Sequence, residues 1–129
     1  MASHVYPLAK QSFVSAGIDL TSANIKVALL TSAYTYSATH QYYSDLSGVI
    51  ASSGNLASKT VTNGVFDAAD ITLTAVTSGS TIAALALYKD TGTGSTSNLI
   101  CFDDGLSQAT NGGDITVQWD NGSNKIFAL

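Results

Sequence analysis

The strict alternation of apolar and polar residues near the end of the chain is the feature that most constrains its fold. Within residues 114–120 every second side chain is apolar, namely Ile115, Val117 and Trp119. This two-residue period is typical of a β-strand with one face buried. Asn-Gly pairs flank the segment on both sides and favour tight turns, because glycine readily adopts positive φ angles. The pattern predicts a rigid β-domain of short strands.

Similar runs recur along the chain and predict further strands. Their bounds are residues 25–31, 56–62, 70–76, 82–89, 99–102 and the C-terminal run 125–129. Residues 82–89 are apolar on both faces, which predicts a central strand. Residues 90–97 are rich in Gly, Ser and Thr, and we expect a mobile polar tip there.

One short helix is predicted near the N-terminus, over residues 6–16. Pro7 suits its first turn and Gly17 the position after its end. The tyrosine-rich residues 34–43, here called the tyrosine loop, are predicted to be a long loop with one helical turn at 39–46. The fold class is therefore all-β and mainly antiparallel, a β-sandwich or flattened barrel with a short N-terminal helix. The predicted core contains Val27, Leu29, Ile71, Leu73, Leu85, Leu87, Ile100, Ile115, Val117 and Trp119.

Composition limits the classes of function. The 129 residues suit a single domain, 1–129, and 45% are hydrophobic while 11% are charged. All cations are lysines and all anions are aspartates, with a net charge of −4. The lack of arginine argues against nucleic-acid binding. No run reaches the roughly 18 apolar residues of a membrane span, so no membrane partner is expected.

Few residues suggest catalysis or cofactor binding. The lone Cys101 lies in an apolar run and is interpreted as a small core residue. The aspartates are interpreted as caps of turns and strand ends, since their spacing matches no calcium loop. His4 and His40 belong to no metal-ligand motif. We therefore predict no enzyme activity, no catalytic residue, no metal and no cofactor.

The tyrosine loop is the strongest candidate for an interface. Tyrosine provides a broad, stiff contact surface with a polar tip and is enriched where proteins bind one another. One or two of these tyrosines could equally belong to the core, and the apolar C-terminal run could simply be the last strand. The predicted interface residues are Tyr34, Tyr36, His40, Tyr42, Tyr43, Phe127 and Leu129.

Several blocks of sequence, in order along nearly the whole chain, together form a recognisable set. His40, Tyr43, Asp45 and Leu46 belong to one of them. The others are Ala-Gly-Ile-Asp-Leu (16–20), Ile-Lys-Val-Ala-Leu-Leu-Thr-Ser-Ala-Tyr-Thr (25–35), Lys-Thr-Val-Thr-Asn-Gly (59–64), Phe-Asp-Ala-Ala-Asp-Ile-Thr (66–72), Leu-Tyr-Lys-Asp-Thr-Gly (87–92) and Thr-Asn-Gly-Gly-Asp-Ile-Thr-Val-Gln-Trp (110–119). In their order and spacing these blocks resemble a family of small virion proteins of tailed bacteriophages.

The resemblance implies a head decoration or cement protein that binds the major capsid protein on the outer surface of the shell. The chain would be made in the bacterial cytoplasm and located on the virion. The alternative is a tail or host-recognition module that binds surface glycans through the tyrosine loop. A homo-oligomer, most simply a trimer, would match the three-fold positions of a shell. Residues 1–10 could be a flexible arm that orders on the shell.

Overall fold

The computed structural model describes residues 2–119 and 126–128. It contains one helix, α1 (Pro7–Val14), and one 3-10 helix, Tyr43–Asp45. The remaining elements are twelve β-strands: β1 (Ala2–Val5), β2 (Ile25–Leu30), β3 (Val49–Ser52), β4 (Thr60–Thr62), β5 (Val65–Asp67), β6 (Ile71–Leu73), β7 (Thr81–Ile82), β8 (Ala84–Lys89), β9 (Leu99–Asp104), β10 (Gln108–Ala109), β11 (Ile115–Val117) and β12 (Phe127–Ala128). The predicted all-β, antiparallel class with a short N-terminal helix is confirmed.

A five-stranded antiparallel sheet with the order β1-β9-β8-β2-β3 organises the molecule. Strand β8 pairs with β2 on one side, where Leu87 lies opposite Val27, and with β9 on the other. Its residues from Ala84 to Tyr88 are buried, as expected of a strand covered on both faces. The predicted central strand is therefore confirmed, although it divides near Ala83 into β7 and β8.

The inner face of this sheet packs on a second layer of small sheets. These are the pairs β10-β7 and β11-β6 and the three-stranded sheet β12-β5-β4. Side chains from both layers form one buried cluster, which includes Leu29 and Leu87 from the large sheet and Phe66 and Val117 from the small ones. Of the predicted core residues, all are buried except Ile71 and Ile115, which pack against the cluster from partly exposed positions.

Strand β9 contributes to both faces through a bulge. Its register with β8 shifts so that Cys101 lies opposite Leu87 while Leu99 lies opposite Tyr88. The extra residue, Ile100, therefore joins Cys101 in the inner cluster. Cys101 is fully buried, as predicted, and burial raises the pKa of its thiol well above the ordinary value.

The helix is shorter than predicted and ends differently. Pro7 occupies its first turn, as expected, but the residue with positive φ at its C-terminal end is Ala16, at 62°, and not Gly17.

The sequence suggested that residues 1–10 form a flexible arm. The described residues of this segment, 2–10, are part of the folded domain. The backbone of Ala2–Val5 pairs with β9 at the edge of the large sheet.

Other strand bounds also differ from the sequence analysis. The predicted strand 56–62 is reduced to β4, and β3, β5 and β10 were not predicted. The expected polar tip is held by hydrogen bonds. Ser97 is buried there, and its hydroxyl accepts from the Thr91 amide and donates to the Thr93 carbonyl. Short polar strands such as β10 lack the periodic pattern that sequence analysis depends on.

Candidate functional site

The tyrosine loop covers the outer face of the five-stranded sheet. Between the loop and the strands lie small side chains, Ala28, Ala84 and Ala86, which leave room for aromatic rings. The base of the loop is closed where the Thr31 amide donates to the Gly48 carbonyl at 2.9 Å. Residues 34–43 therefore form part of a second, outer core and are not a free loop.

Aromatic rings from distant parts of the chain meet in this outer core. The ring of Phe102 packs edge-on against Tyr34 at 5.5 Å and stacks on Tyr36 at 5.7 Å between centroids. Tyr6, just before α1, packs on Tyr36 at 5.0 Å. Offset and edge-on arrangements of this kind stabilise aromatic clusters by about 0.5–1.5 kcal/mol per pair. The rings thus fix the first half of the tyrosine loop on the sheet.

Three polar groups in the same cluster form a chain of hydrogen bonds. The Tyr6 hydroxyl lies 2.7 Å from the Tyr34 hydroxyl, which lies 2.8 Å from Nδ1 of His40. Tyr6 is 0% exposed and Tyr34 6%, whereas His40 is partly exposed. Burial, followed by the hydrogen bond to Tyr34, raises the pKa of Tyr6 far above its ordinary value, and burial also raises the pKa of Tyr34. Both phenols are therefore neutral.

Backbone hydrogen bonds to residues 94–99 hold the second half of the loop. The Leu99 amide donates to the Gln41 carbonyl, and the Tyr43 amide donates to the Ser97 carbonyl, each at 2.8 Å. The Asp45 carboxylate accepts from the amides of Gln41 and Tyr42, which lowers the pKa of that carboxyl group. The helical turn predicted in this region is confirmed as the 3-10 helix Tyr43–Asp45.

The structure divides the predicted interface residues into two groups. Tyr34 is buried in the outer core, while Tyr36, His40, Tyr42 and Tyr43 keep part of their surface exposed along the loop. Tyr43 also packs on Tyr88 at 4.7 Å between centroids. The exposed parts of these four side chains are called the aromatic ridge below.

The two C-terminal residues of the predicted interface are separate from the ridge. Phe127 is 4% exposed and belongs to the inner cluster, where its ring lies 5.4 Å from Phe66 and 6.1 Å from Phe13. Its strand, β12, pairs with β5, so this part of the C-terminal run is a strand of the small sheet. Leu129 lies outside the described residues.

A cavity of about 390 Å³ adjoins the aromatic ridge. Its lining combines the rings of Tyr34, Tyr36 and Phe102 with the polar side chains of Thr35 and Asp104. Phe102 and Asp104 were not predicted to belong to a site. Phe102 belongs to the predicted strand 99–102 and reads as core from the sequence, whereas Asp104 lies beyond the predicted end of that strand. The proximity of both residues to the tyrosine loop depends on the tertiary fold.

The aspartates of the described residues act chiefly through backbone amides. Asp70 accepts from the Trp119 amide at 3.0 Å, and Asp114 accepts from the Ala75 amide at 3.0 Å. Asp90 accepts from the Gly92 amide and pairs with Lys26 at 2.8 Å. These contacts confirm the capping interpretation for these three residues. Within residues 2–119 and 126–128, no three His, Cys, Asp or Glu side chains are grouped so that they could hold a metal ion.

Comparison with known proteins adds no relative. No family model, curated protein or solved structure matches the chain. In the described part of the chain, no helix has the length and apolar character needed to cross a membrane.

Proposed function

We propose that this protein is a virion component of a tailed bacteriophage that binds the outer surface of the head shell, with the major capsid protein as its partner. The resemblance of its sequence blocks to small phage virion proteins supports this proposal. The observation in the structure that supports it best is the aromatic ridge, a partly exposed surface in which Tyr36, His40 and Tyr43 are supported by ring contacts or hydrogen bonds.

The ridge suits binding because it is ordered before contact. Tyr43 is fixed by its ring contact with Tyr88 and by its amide bond to the Ser97 carbonyl. His40 is fixed by the Tyr34 hydroxyl. Side chains that are already ordered lose little conformational entropy on binding, which would otherwise cost about 0.5–1.5 kcal/mol for each flexible side chain. Partly exposed tyrosines supported in this way are typical of the residues that dominate protein interfaces.

We further propose that the protein acts as a trimer on the shell. Three-fold and quasi-three-fold positions of a shell match closed cyclic symmetry. Three ridges bound at once would strengthen attachment well beyond one contact, because the later binding events become intramolecular.

A second candidate function is a tail or host-recognition module that binds neutral glycans. The cavity beside the ridge supports it, since aromatic rings next to the hydroxyl of Thr35 and the carboxylate of Asp104 can contact the apolar and polar faces of a sugar. The lining contains no cationic side chain among the described residues, which favours a neutral sugar over an anionic one.

Mass spectrometry of purified particles separated into heads and tails distinguishes the two candidates. Finding the protein in heads supports shell binding, and finding it exclusively in tails supports the second candidate and overturns the first. Its absence from the particles overturns both.

Binding of the purified protein to heads that lack it then tests the ridge. We expect Tyr42→Ala to weaken binding at least tenfold, in line with loss of an interfacial aromatic residue. The matched control is Val61→Ala on β4, where a 48% exposed apolar side chain lies away from the ridge. Equal affinities of the two variants and the natural chain would show that the ridge is not the binding surface.

A further inference from the structure

The hydrogen bonds among Tyr6, Tyr34 and His40 can be satisfied in one direction only. There are two contacts, one between the two hydroxyl groups at 2.7 Å and one from Tyr34 Oη to Nδ1 of His40 at 2.8 Å. The Tyr6 side chain is 0% exposed, and within residues 2–119 and 126–128 the structure gives the Tyr34 oxygen as the acceptor for its hydroxyl proton. The Tyr34 proton must then be donated to Nδ1 of His40. Two protons thus fill two contacts.

This direction determines the state of the imidazole. A nitrogen that accepts a hydrogen bond carries no proton, so His40 must be neutral with its proton on Nε2. The opposite tautomer would place a third proton between the same three groups. One hydroxyl proton would then have no acceptor in the buried cluster.

Protonation of His40 creates the same conflict. The cationic imidazole has a proton on each nitrogen, and Nδ1 becomes a donor towards Tyr34. Three protons now compete for two contacts, and one of them, on Tyr6 or Tyr34, loses its acceptor. A buried hydroxyl group without a partner destabilises the state that contains it. The neutral imidazole is therefore the form that fits the closed loop.

We propose that this chain of hydrogen bonds is a pH-sensitive latch that holds the tyrosine loop closed when His40 is neutral and loosens it when His40 is protonated. Histidine is the side chain type whose charge ordinarily changes between pH 5 and 8, so the two states of the latch are compared at pH 7.5 and pH 5.5. Burial raises the pKa of Tyr6 and of Tyr34, so both stay neutral phenols in this range, and the amide hydrogen bonds that lower the pKa of Asp45 keep its carboxylate ionised.

Asp45 is the charged group beside His40, and attraction between its carboxylate and a cationic imidazole would act against the latch. Its carboxylate is exposed and already accepts from the Gln41 and Tyr42 amides. Attraction between exposed charges is screened by water, whereas the hydroxyl conflict occurs in the buried cluster. The conflict therefore outweighs the attraction.

Thermal unfolding at pH 7.5 and pH 5.5 tests the latch in three proteins. The natural chain is compared with His40→Asn, in which the amide oxygen takes the position of Nδ1 and can still accept from Tyr34 but cannot titrate. The third protein is Tyr6→Phe/Tyr34→Phe, which has neither hydroxyl group. We expect acidification to lower the melting temperature of the natural chain by about 4–8 °C more than that of either variant. His4 is present in all three proteins, so its contribution cancels.

Equal responses of the natural chain and His40→Asn would overturn the proposal. A second measurement addresses the geometry directly. Nitrogen-15 NMR at pH 7.5 should show an unprotonated Nδ1 and a protonated Nε2 in His40, and a proton on Nδ1 would also overturn it. Hydrogen exchange gives a protection factor for the Tyr43 amide, which is its intrinsic exchange rate divided by its observed rate at the same pH. This factor should be lower at pH 5.5 than at pH 7.5, and an unchanged factor would refute loosening of the loop.

Discussion

Substitution of Gly48 by alanine tests how the tyrosine loop is closed. Gly48 has φ +64°, and its carbonyl accepts from the Thr31 amide at 2.9 Å. A Cβ atom at this position would overlap Thr31 Oγ1 and lie 3.1 Å from the Cβ of Ala33. Rotation of the Thr31 side chain away from the overlap would break the bond in which its hydroxyl accepts from the Ala33 amide. Relief of the clash therefore has its own cost.

Two effects set the expected magnitude for Gly48→Ala. A left-handed conformation costs a residue with a Cβ about 1–2 kcal/mol, and forcing extra volume into a packed site adds about 1–3 kcal/mol. We expect a loss of roughly 2–5 kcal/mol in the free energy of unfolding. At about 4 °C per kcal/mol for a chain of this size, this lowers the melting temperature by roughly 8–20 °C.

Gly79→Ala is the matched control, measured by urea unfolding followed by circular dichroism. Gly79 also has positive φ, +94°, but an added Cβ would meet no atom within 4 Å. It should therefore show the conformational cost without the clash. The double variant Thr31→Ala/Gly48→Ala should recover part of the loss, since the overlapping hydroxyl is gone. Equal destabilisation by Gly48→Ala and Gly79→Ala, with no recovery in the double variant, would refute the proposed packing of the loop base.

Three further changes test other contacts. Tyr34→Phe leaves the buried Tyr6 hydroxyl without its acceptor and should lower the free energy of unfolding by about 1–3 kcal/mol, measured with urea at pH 7.5. The double variant Tyr6→Phe/Tyr34→Phe should lose less than the sum of the two single variants, and strict additivity would contradict the hydrogen bond. The hydrogen bond and charge of Lys26 lower the pKa of Asp90, so the ionised carboxylate stabilises the fold at neutral pH and this contribution is lost as the pH falls below about 4. Between pH 6 and pH 2.5, Asp90→Asn should therefore lose less stability than the natural chain. The difference between the two losses should be under about 1 kcal/mol because the ion pair is partly exposed, and identical losses would show that the pair contributes nothing. Trp119→Phe removes an indole that is 6% exposed and donates to a backbone carbonyl at 3.1 Å. It should lower the free energy of unfolding by roughly 1–3 kcal/mol in the same urea assay, and a change below about 0.5 kcal/mol would contradict its place in the core.

The sequence pattern was enough to predict three strands of the large sheet, β2, β8 and β9, and most of the inner core. Val27 and Leu87, both predicted core residues, lie opposite each other in the inner cluster. The two apolar faces of residues 82–89 predicted a buried central strand, because a half-exposed strand would carry polar residues on one face. Cys101 was placed in the core by the apolar residues around it. The proposed virion function rests on resemblance and stays a prediction.

The tertiary structure decided what covers the outer face of the sheet. The sequence showed a cluster of tyrosines but could not distinguish a free loop from a packed one, since their partners are Tyr6, Phe102 and Tyr88, which are distant in sequence. The link between Tyr34 and Tyr6 spans 28 residues and carries no local pattern. Periodicity reports which face of one element is buried, but not which other element buries it. For this reason the sequence predicted a surface rich in tyrosine, and only the fold divided it into an outer core, a ridge and a hydrogen-bonded histidine.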